Sequence, residues 1–236
     1  MIDSSLKIVS NLQIARDSMM LRLECPEKPL PGQFVQVEVP GFYLRRPFAV
    51  ADYQDGILTV VYKIVGQGTA FLAGMQPGQS LSVLHFLGNG FDVQKAAANP
   101  CLIGGSVGVA PLLYLARSVP GATVVMGFRS AADVMLVPEL EALGCKVVVC
   151  TEDGSAGVKG FVTGALPAGM DYYYACGPMP MLRAIASATC VPGQMSLEAR
   201  MGCGFGACMG CSIQTADGPR RVCKDGPVFK NDELIW

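Results

Sequence analysis

Four of the ten cysteines in this 236-residue chain lie together near its end, as Cys203-x4-Cys208-x2-Cys211-x11-Cys223. No other pattern in the sequence restricts the fold as sharply. Three thiols within one short loop can wrap one face of a small inorganic core, and the fourth must return to it from a hairpin. The C-x4-C-x2-C…C spacing is that of plant-type [2Fe–2S] ligation. The residues between the thiols (Gly204, Phe205, Gly206, Ala207, Met209, Gly210) are mostly small. Such a loop lets backbone N–H groups turn inward toward the sulfurs. A structural zinc site more often carries two C-x2–4-C knuckles, and only one orthodox pair is present. Zinc and incidental free thiols remain open on these grounds alone. The other six cysteines, Cys25, Cys101, Cys145, Cys150, Cys176 and Cys190, are scattered within or beside apolar stretches, as buried thiols of a reducing compartment are.

Charged residues are scarce, 16% of the chain, and the net charge is −1, where about 25% charged is ordinary. This balance excludes an intrinsically disordered chain and a nucleic-acid binder that relies on a basic patch. The apolar excess must be covered by a membrane, a large cofactor or another subunit. An uncharged run over 96–115 has the length of a membrane span. Pro100, Gly104, Gly105, Gly108 and Pro111 interrupt it, however, so it reads as strand, glycine turn and helix, buried as a βα unit is. The N-terminal residues Met1-Ile2-Asp3-Ser4-Ser5 lack the basic and apolar blocks of a signal peptide. A soluble, cytoplasmic protein is expected.

Short, often β-branched runs at 6–14, 19–24, 33–39, 48–53, 57–65 and 80–84, punctuated by Pro31-Gly32, Pro40-Gly41, Asp55-Gly56 and Pro77-Gly78, predict a small antiparallel barrel. A short helix near 69–73 caps it. After Pro100 the rhythm changes to strands at 101–103, 123–128, 146–150 and 172–175, with helices at 109–117, 133–143 and 179–188. Alternation of that kind predicts a parallel sheet. The fold class is therefore a two-domain β plus α/β protein with a cysteine-rich tail, divided as 1–97, 98–195 and 196–236.

Two strand–glycine–helix turns suit a dinucleotide: Gly104-Gly105-Ser106-Val107-Gly108, and Cys176-Gly177-Pro178. A helix N-terminus offers free N–H groups to a pyrophosphate, and both turns lie where open α/β sheets bind ligands. Neither is the G-x-G-x-x-G fingerprint, and tight packing alone explains such glycines nearly as well. In the barrel, Arg45-Arg46-Pro47-Phe48-Ala49 and Gly66-Gln67-Gly68-Thr69 set cations and helix-start donors where a phosphate could be held.

The order of R-P-x-[SA], G-x-G-T, G-G-x-x-G-x-x-P and C-G-P-x-P-M resembles the ferredoxin–NADP reductase superfamily along the whole chain. The tail, Leu197-Glu198-Ala199-Arg200-Met201-Gly202-Cys203-Gly204-Phe205-Gly206-Ala207-Cys208 followed by Val222-Cys223-Lys224-Asp225-Gly226-Pro227-Val228-Phe229, is similar to the electron-transfer subunits of dihydroorotate dehydrogenase B. The resemblance implies FAD at Arg46, Pro47, Phe48, Ala49, Val61, Tyr62, Lys63, Gly68 and Thr69. It implies NADH, as substrate, at Gly104, Gly105, Gly108, Gly177 and Pro178, with Cys176 beside the nicotinamide as the candidate catalytic-site residue. A [2Fe–2S] cluster would take Cys203, Cys208, Cys211 and Cys223. The implied partner is an FMN-containing catalytic subunit, two of each, with neither nucleic acid nor membrane. Two departures stand out: Ala49 replaces a usual Ser, and His85-Phe86 replaces a usual Gly-Pro, putting the one histidine near the flavin edge or a subunit contact. NADH against NADPH is undecided, with Arg129 placed where it could meet a 2′-phosphate. Rival readings are a diaphorase subunit of a sulfhydrogenase or of an NADH-dependent ferredoxin:NADP oxidoreductase, and, in another class, a zinc-stabilised interaction module.

Overall fold

The computed structural model describes residues 1–96 and 98–236; Ala97, at the first expected domain boundary, lies outside the described residues. The first half is a closed six-stranded barrel built from β1 (Ile2–Ala15), β2 (Ser18–Glu24), β3 (Phe34–Val37), β4 (Arg46–Gln54), β5 (Ile57–Lys63) and β6 (Ser80–Leu87), with helix α1 (Gln67–Ala73) between the last two. Its order is β1-β2-β5-β4-β3-β6. Closure works because β1 is long: residues 2–7 pair with β6, and residues 8–15 pair with β2. Asp55 and Gly56, both at positive φ, make the two-residue turn that joins β4 to β5 with the right twist. Inward residues alternate as a half-buried strand requires. Leu21, Leu23, Val35, Val37, Leu58, Val60, Leu81 and Val83 fill the barrel.

The second half is a seven-stranded sheet in the order β10-β9-β8-β7-β11-β12-β15. Its strands are β7 (Pro100–Gly105), β8 (Thr123–Phe128), β9 (Lys146–Thr151), β10 (Val158–Lys159), β11 (Tyr172–Cys176), β12 (Gly193–Ser196) and β15 (Val228–Lys230). Between them lie α2 (Ala110–Ala116), α3 (Val137–Ala142) and α4 (Met179–Ala188). All pairings are parallel except β12 with β15. The chain runs from β7 outward to β10, then returns to β7's other side with β11. The switch point therefore falls between β7 and β11, where both glycine turns sit.

Three details differ from expectation. The helix expected over 133–143 is confined to α3, because Leu136 is left-handed at φ 63 and Pro138 is fit only for a first helical turn. β12 extends the parallel sheet past the helix that seemed to end it. The cysteine-rich segment has the expected hairpin, β13 (Ser212–Thr215) and β14 (Gly218–Arg221), but then goes on through the short helix α5 (Val222–Asp225) to rejoin the sheet edge as β15.

The halves are joined by a two-point ion pair. Arg117, following α2, donates to both oxygens of Asp52 in β4 at 2.7 and 2.8 Å. Tyr114 Oη adds a bond to the Pro29 carbonyl at 2.8 Å. No helix among the described residues is long and apolar enough to cross a membrane. Asp52→Ala leaves a partly buried guanidinium unpaired and is expected to cost about 1–3 kcal/mol. Urea unfolding checks this, and an unchanged midpoint would show that the pair contributes nothing.

Candidate functional site

The loop that carries Cys203, Cys208 and Cys211 curls because Gly204, Gly206 and Met209 all have positive φ. The curl aims backbone donors at sulfur. The N–H groups of Ala207 and Cys208 point at Cys203 Sγ from 3.2 and 3.4 Å, and the N–H of Cys223 points at Cys211 Sγ from 3.4 Å. The β13–β14 hairpin brings Cys223 back, with Val222 N–H donating to the Cys211 carbonyl at 3.1 Å. Cys211 and Cys223 are buried, Cys203 is half-buried and Cys208 is exposed. Burial pushes the Cys203 thiol up, but the surrounding N–H groups outweigh it and bring the thiol down to about 6. Burial, followed by the hydrogen bond and charge of Cys211, pushes the Cys223 thiol up to about 12. Clustered thiols that repel one another as anions, with N–H donors already aimed at them, are the donor set an iron–sulfur core needs. The four cysteines fit the group.

The loop is braced from two sides. Arg221 donates to the Gly206 carbonyl at 3.0 Å and through Nε to Asp225 at 3.3 Å. Asp225 is held below the usual carboxylate value, first by the Arg221 backbone N–H and then by its guanidinium. This brace therefore persists above the ordinary value of 3.8 and is lost as acid protonates the carboxylate. On the other side, the loop rests on the barrel. A Cβ on Gly204 would stand 2.5 Å from Gln36 Cδ, so only glycine fits there. Gln36 is 1% exposed, and its Nε2 has no partner. In register, Gln36 of β3 faces Pro47 of β4. The cysteine loop thus rests one strand away from the Arg46–Ala49 motif.

In that motif the two arginines differ. Arg45 is held by Asp3 at 3.2 Å and Glu38 at 3.0 Å, whereas Arg46 has no carboxylate partner among the described residues. Arg46 lies over the Phe42 ring and donates to the Leu44 carbonyl. It also packs so tightly on α1 that a Cβ on Gly68 would meet its Nη2 at 2.5 Å. Pro47, Phe48 and Ala49 are half-buried. Val61 packs in the interdomain core, and Lys63 lines the main cavity. The Thr69 hydroxyl is taken by its own turn, accepting from Val65 and Gly66 N–H at 2.9 and 3.2 Å. Only the N–H groups of the first helical turn are left for a ligand. Tyr62 turns inward by strand alternation, 1% exposed, and donates to Asn11 Oδ1 at 3.1 Å. Burial pushes its phenol up to about 12. Its ring belongs to the barrel core.

A cavity of about 670 Å³ opens between the barrel and the carboxyl edge of the sheet, lined among others by Lys63, Gly105, Ser106, Arg129, Glu152 and Pro178. Gly104, Gly108, Gly177 and Cys176 stand behind its wall. A Cβ on Gly108 would lie 2.4 Å from the Cys176 carbonyl oxygen, and one on Gly177 3.0 Å from Gly105 N. The two turns pack directly against each other, so protein contact already requires those glycines. Burial, then the charge of Glu198, pushes the Cys176 thiol up to about 12. Cys176 is a buried thiol behind the cavity wall. Two residues escaped the sequence reading. Ser106 sits at φ 53, a strained conformation for a residue with a side chain, and Glu152 follows β9 at the cavity. The acidic Glu152-Asp153 pair after an apolar strand was the available signal. His85 is turned into the barrel by β6 alternation and is 1% exposed, so it offers no surface for a subunit contact.

A barrel joined to a switch-point sheet, with a four-cysteine loop docked between them, defines a ferredoxin-reductase-like oxidoreductase of the flavin and iron–sulfur class. Residues 198–235 match the iron–sulfur cluster binding domain of dihydroorotate dehydrogenase B. The chain is similar to the dihydroorotate dehydrogenase B (NAD(+)) electron transfer subunit of Caldanaerobacter subterraneus subsp. tengcongensis, 38% identical across 98% of this chain and 97% of the relative. It is 42% identical to the Geobacillus kaustophilus subunit across 87% and 86%. Among solved structures it resembles that of an NADH-dependent reduced ferredoxin-NADP oxidoreductase, with TM-score 0.89 and 30% identity over 99% of this chain and 90% of the other. Phthalate dioxygenase reductase shares the fold, with TM-score 0.64 and 22% identity over 79% and 64%. The chain belongs to the family of dihydroorotate dehydrogenase B electron transfer subunits.

Because Arg45 is occupied and Arg46 is not, Arg46→Ala is expected to weaken FAD retention about tenfold or more, the value of a charged hydrogen bond. Arg45→Ala should change it little. Flavin content after gel filtration checks this, and equal loss in both variants would remove the phosphate-clamp role from Arg46.

Proposed function

We propose that this subunit passes electrons from NADH, by way of FAD and a [2Fe–2S] cluster, to the FMN of a dihydroorotate dehydrogenase catalytic subunit in pyrimidine biosynthesis. It works in the cytoplasm, in a complex with two of each chain. The division of labour is FAD on 1–97, NADH on 98–195 and the cluster on 196–236. One observation carries the reading. Gly204 of the cysteine loop rests on Gln36, and Gln36 faces Pro47 of the flavin motif across one strand pairing.

When bound, the flavin accepts a pair of electrons and the cluster hands electrons on singly. The chain's own residues position and polarise. Arg46 and the first-turn N–H groups of α1 would hold a pyrophosphate with fixed positive charge. Gly105, Ser106 and Pro178 form the cavity wall at the sheet's switch point, where a nicotinamide dinucleotide would be bound. Glu152 offers a carboxylate to ribose hydroxyls and repels a 2′-phosphate, which favours NADH although Arg129 lines the same cavity. Cys176, whose backbone carbonyl packs against Gly108, backs that wall from behind. Dihydroorotate chemistry is assigned to the partner subunit.

A second reading, a diaphorase subunit of a related complex, draws on the 0.89 TM-score to the ferredoxin-NADP oxidoreductase structure. The identities of 38% and 42% to the dihydroorotate dehydrogenase subunits favour the first. The isolated, cofactor-loaded subunit is expected to oxidise NADH with artificial acceptors but to leave dihydroorotate untouched. It should prefer NADH to NADPH, with the gap narrowed in Glu152→Gln. Purification from the native host should bring down an FMN-containing dihydroorotate dehydrogenase chain. Recovery of a hydrogenase or ferredoxin-linked partner instead would establish the second reading.

A further inference from the structure

The barrel buries one polar cluster that electron transfer leaves unused. His85, in β6, points into the barrel and is 1% exposed. Its Nε2 lies 3.1 Å from Ser4 Oγ in β1, while its Nδ1 is buried with no hydrogen-bond partner. Beside it, just past the end of β2, stand the buried Cys25 thiol and the exposed Glu27 side chain. One ring nitrogen of His85, Cys25 Sγ and a Glu27 carboxylate oxygen all lie within 4.8 Å of one another. A buried imidazole nitrogen left unpaired is costly, so the arrangement calls for something that accepts its lone pair.

We propose that Cys25, Glu27 and His85 form a binding site for a zinc-class divalent cation, separate from the four cluster cysteines. Thiolate, imidazole and carboxylate are the three protein ligand types zinc takes, and three such ligands with water in the fourth position make an open tetrahedral site. Ordinary zinc–ligand lengths set ligand atoms about 3.3–3.7 Å apart, so closure needs a shift of roughly an ångström. The exposed Glu27 side chain is free to supply much of it. Ser4 fits the supporting role: by accepting the Nε2 proton it fixes the tautomer that leaves the Nδ1 lone pair for metal. On binding, the Cys25 thiol proton goes to solvent as the sulfur–metal bond forms, and no oxidation state changes. The site ties the end of β2 to β6 and to the loop that follows Cys25. That loop carries Pro29 and Pro31, whose carbonyls accept from Tyr114 Oη at 2.8 Å and from Phe91 N–H at 2.8 Å. A metal there would fasten the barrel to the nucleotide domain's first helix.

The test uses the subunit loaded with iron and FAD, without an affinity tag, equilibrated against Zn²⁺ at micromolar free concentration and then analysed for zinc, iron and flavin per chain. About one zinc per chain is expected, with iron and flavin unchanged. Ser4→Ala should weaken zinc binding by about 10–100-fold, and Glu27→Gln and His85→Gln should abolish uptake in this range while iron and flavin stay at wild-type levels. Should His85→Gln fail to fold, the exposed Glu27→Gln carries the test. Absence of zinc uptake by the wild type, equal uptake by Glu27→Gln, or uptake matched by loss of iron would each overturn the proposal.

Discussion

The cysteine-rich segment depends on Asn89. Its side-chain amide imitates a strand: Nδ2 donates to the Val228 carbonyl at 2.7 Å and Oδ1 accepts from Val228 N–H at 2.9 Å. Its own backbone N–H donates to the Gly226 carbonyl at 2.7 Å. Each bond contributes only about 1 kcal/mol net, but together they fix where the segment returns. Gly88 next to it approaches Pro227 so closely that a Cβ would stand 2.5 Å from Pro227 Cδ. With β15 paired to β12, the segment is held to both halves of the molecule. The strings 84–91 and 222–229, far apart in sequence, are two sides of one lock. From it follows the placement of the cysteine loop on Gln36.

The sheet's switch point shows a second constraint of the same kind. The glycines of the two turns are demanded first by each other, since Gly108 meets the Cys176 backbone and Gly177 meets Gly105. Close packing brings the two strand ends together, and the cavity in front of them is a consequence. Ser106, left-handed at the rim, holds strain that the packed turn over-determines. Hence substitutions at Gly104 or Gly108 disturb packing before they disturb any nucleotide.

Local chemistry was legible in the sequence. Asp55-Gly56 announced its turn, β-branched alternation announced the barrel, and the cysteine spacing announced a cluster whose N–H donors the structure displays. What escaped was set by distant partners. β12, β10 and β15 are two to four residues long and exist because a neighbouring strand edge is there to pair with. Tyr62 was grouped with Val61 and Lys63 by motif, but alternation sends its ring into the core. The Thr69 hydroxyl, offered to a phosphate by motif, is consumed by the helix start it stabilises. His85 was placed near the flavin edge or a subunit contact because it departs from the family string, and its place in β6 turns it inward. The R-P motif singles out Arg46 over Arg45, and the physical reason, that Asp3 and Glu38 occupy Arg45, is visible only in the fold.

On the proposed reading, the docked cysteine loop connects the barrel's flavin to the partner. Cys208 is the exposed member of the four cysteines, so its replacement disturbs the core least. The direct measurement is stopped-flow reduction by NADH of the complex that carries Cys208→Ser, with the FAD and the partner's FMN followed separately. FAD is expected to be reduced by NADH still, while the partner's FMN is not. Reduction of the FMN at the wild-type rate would contradict that reading.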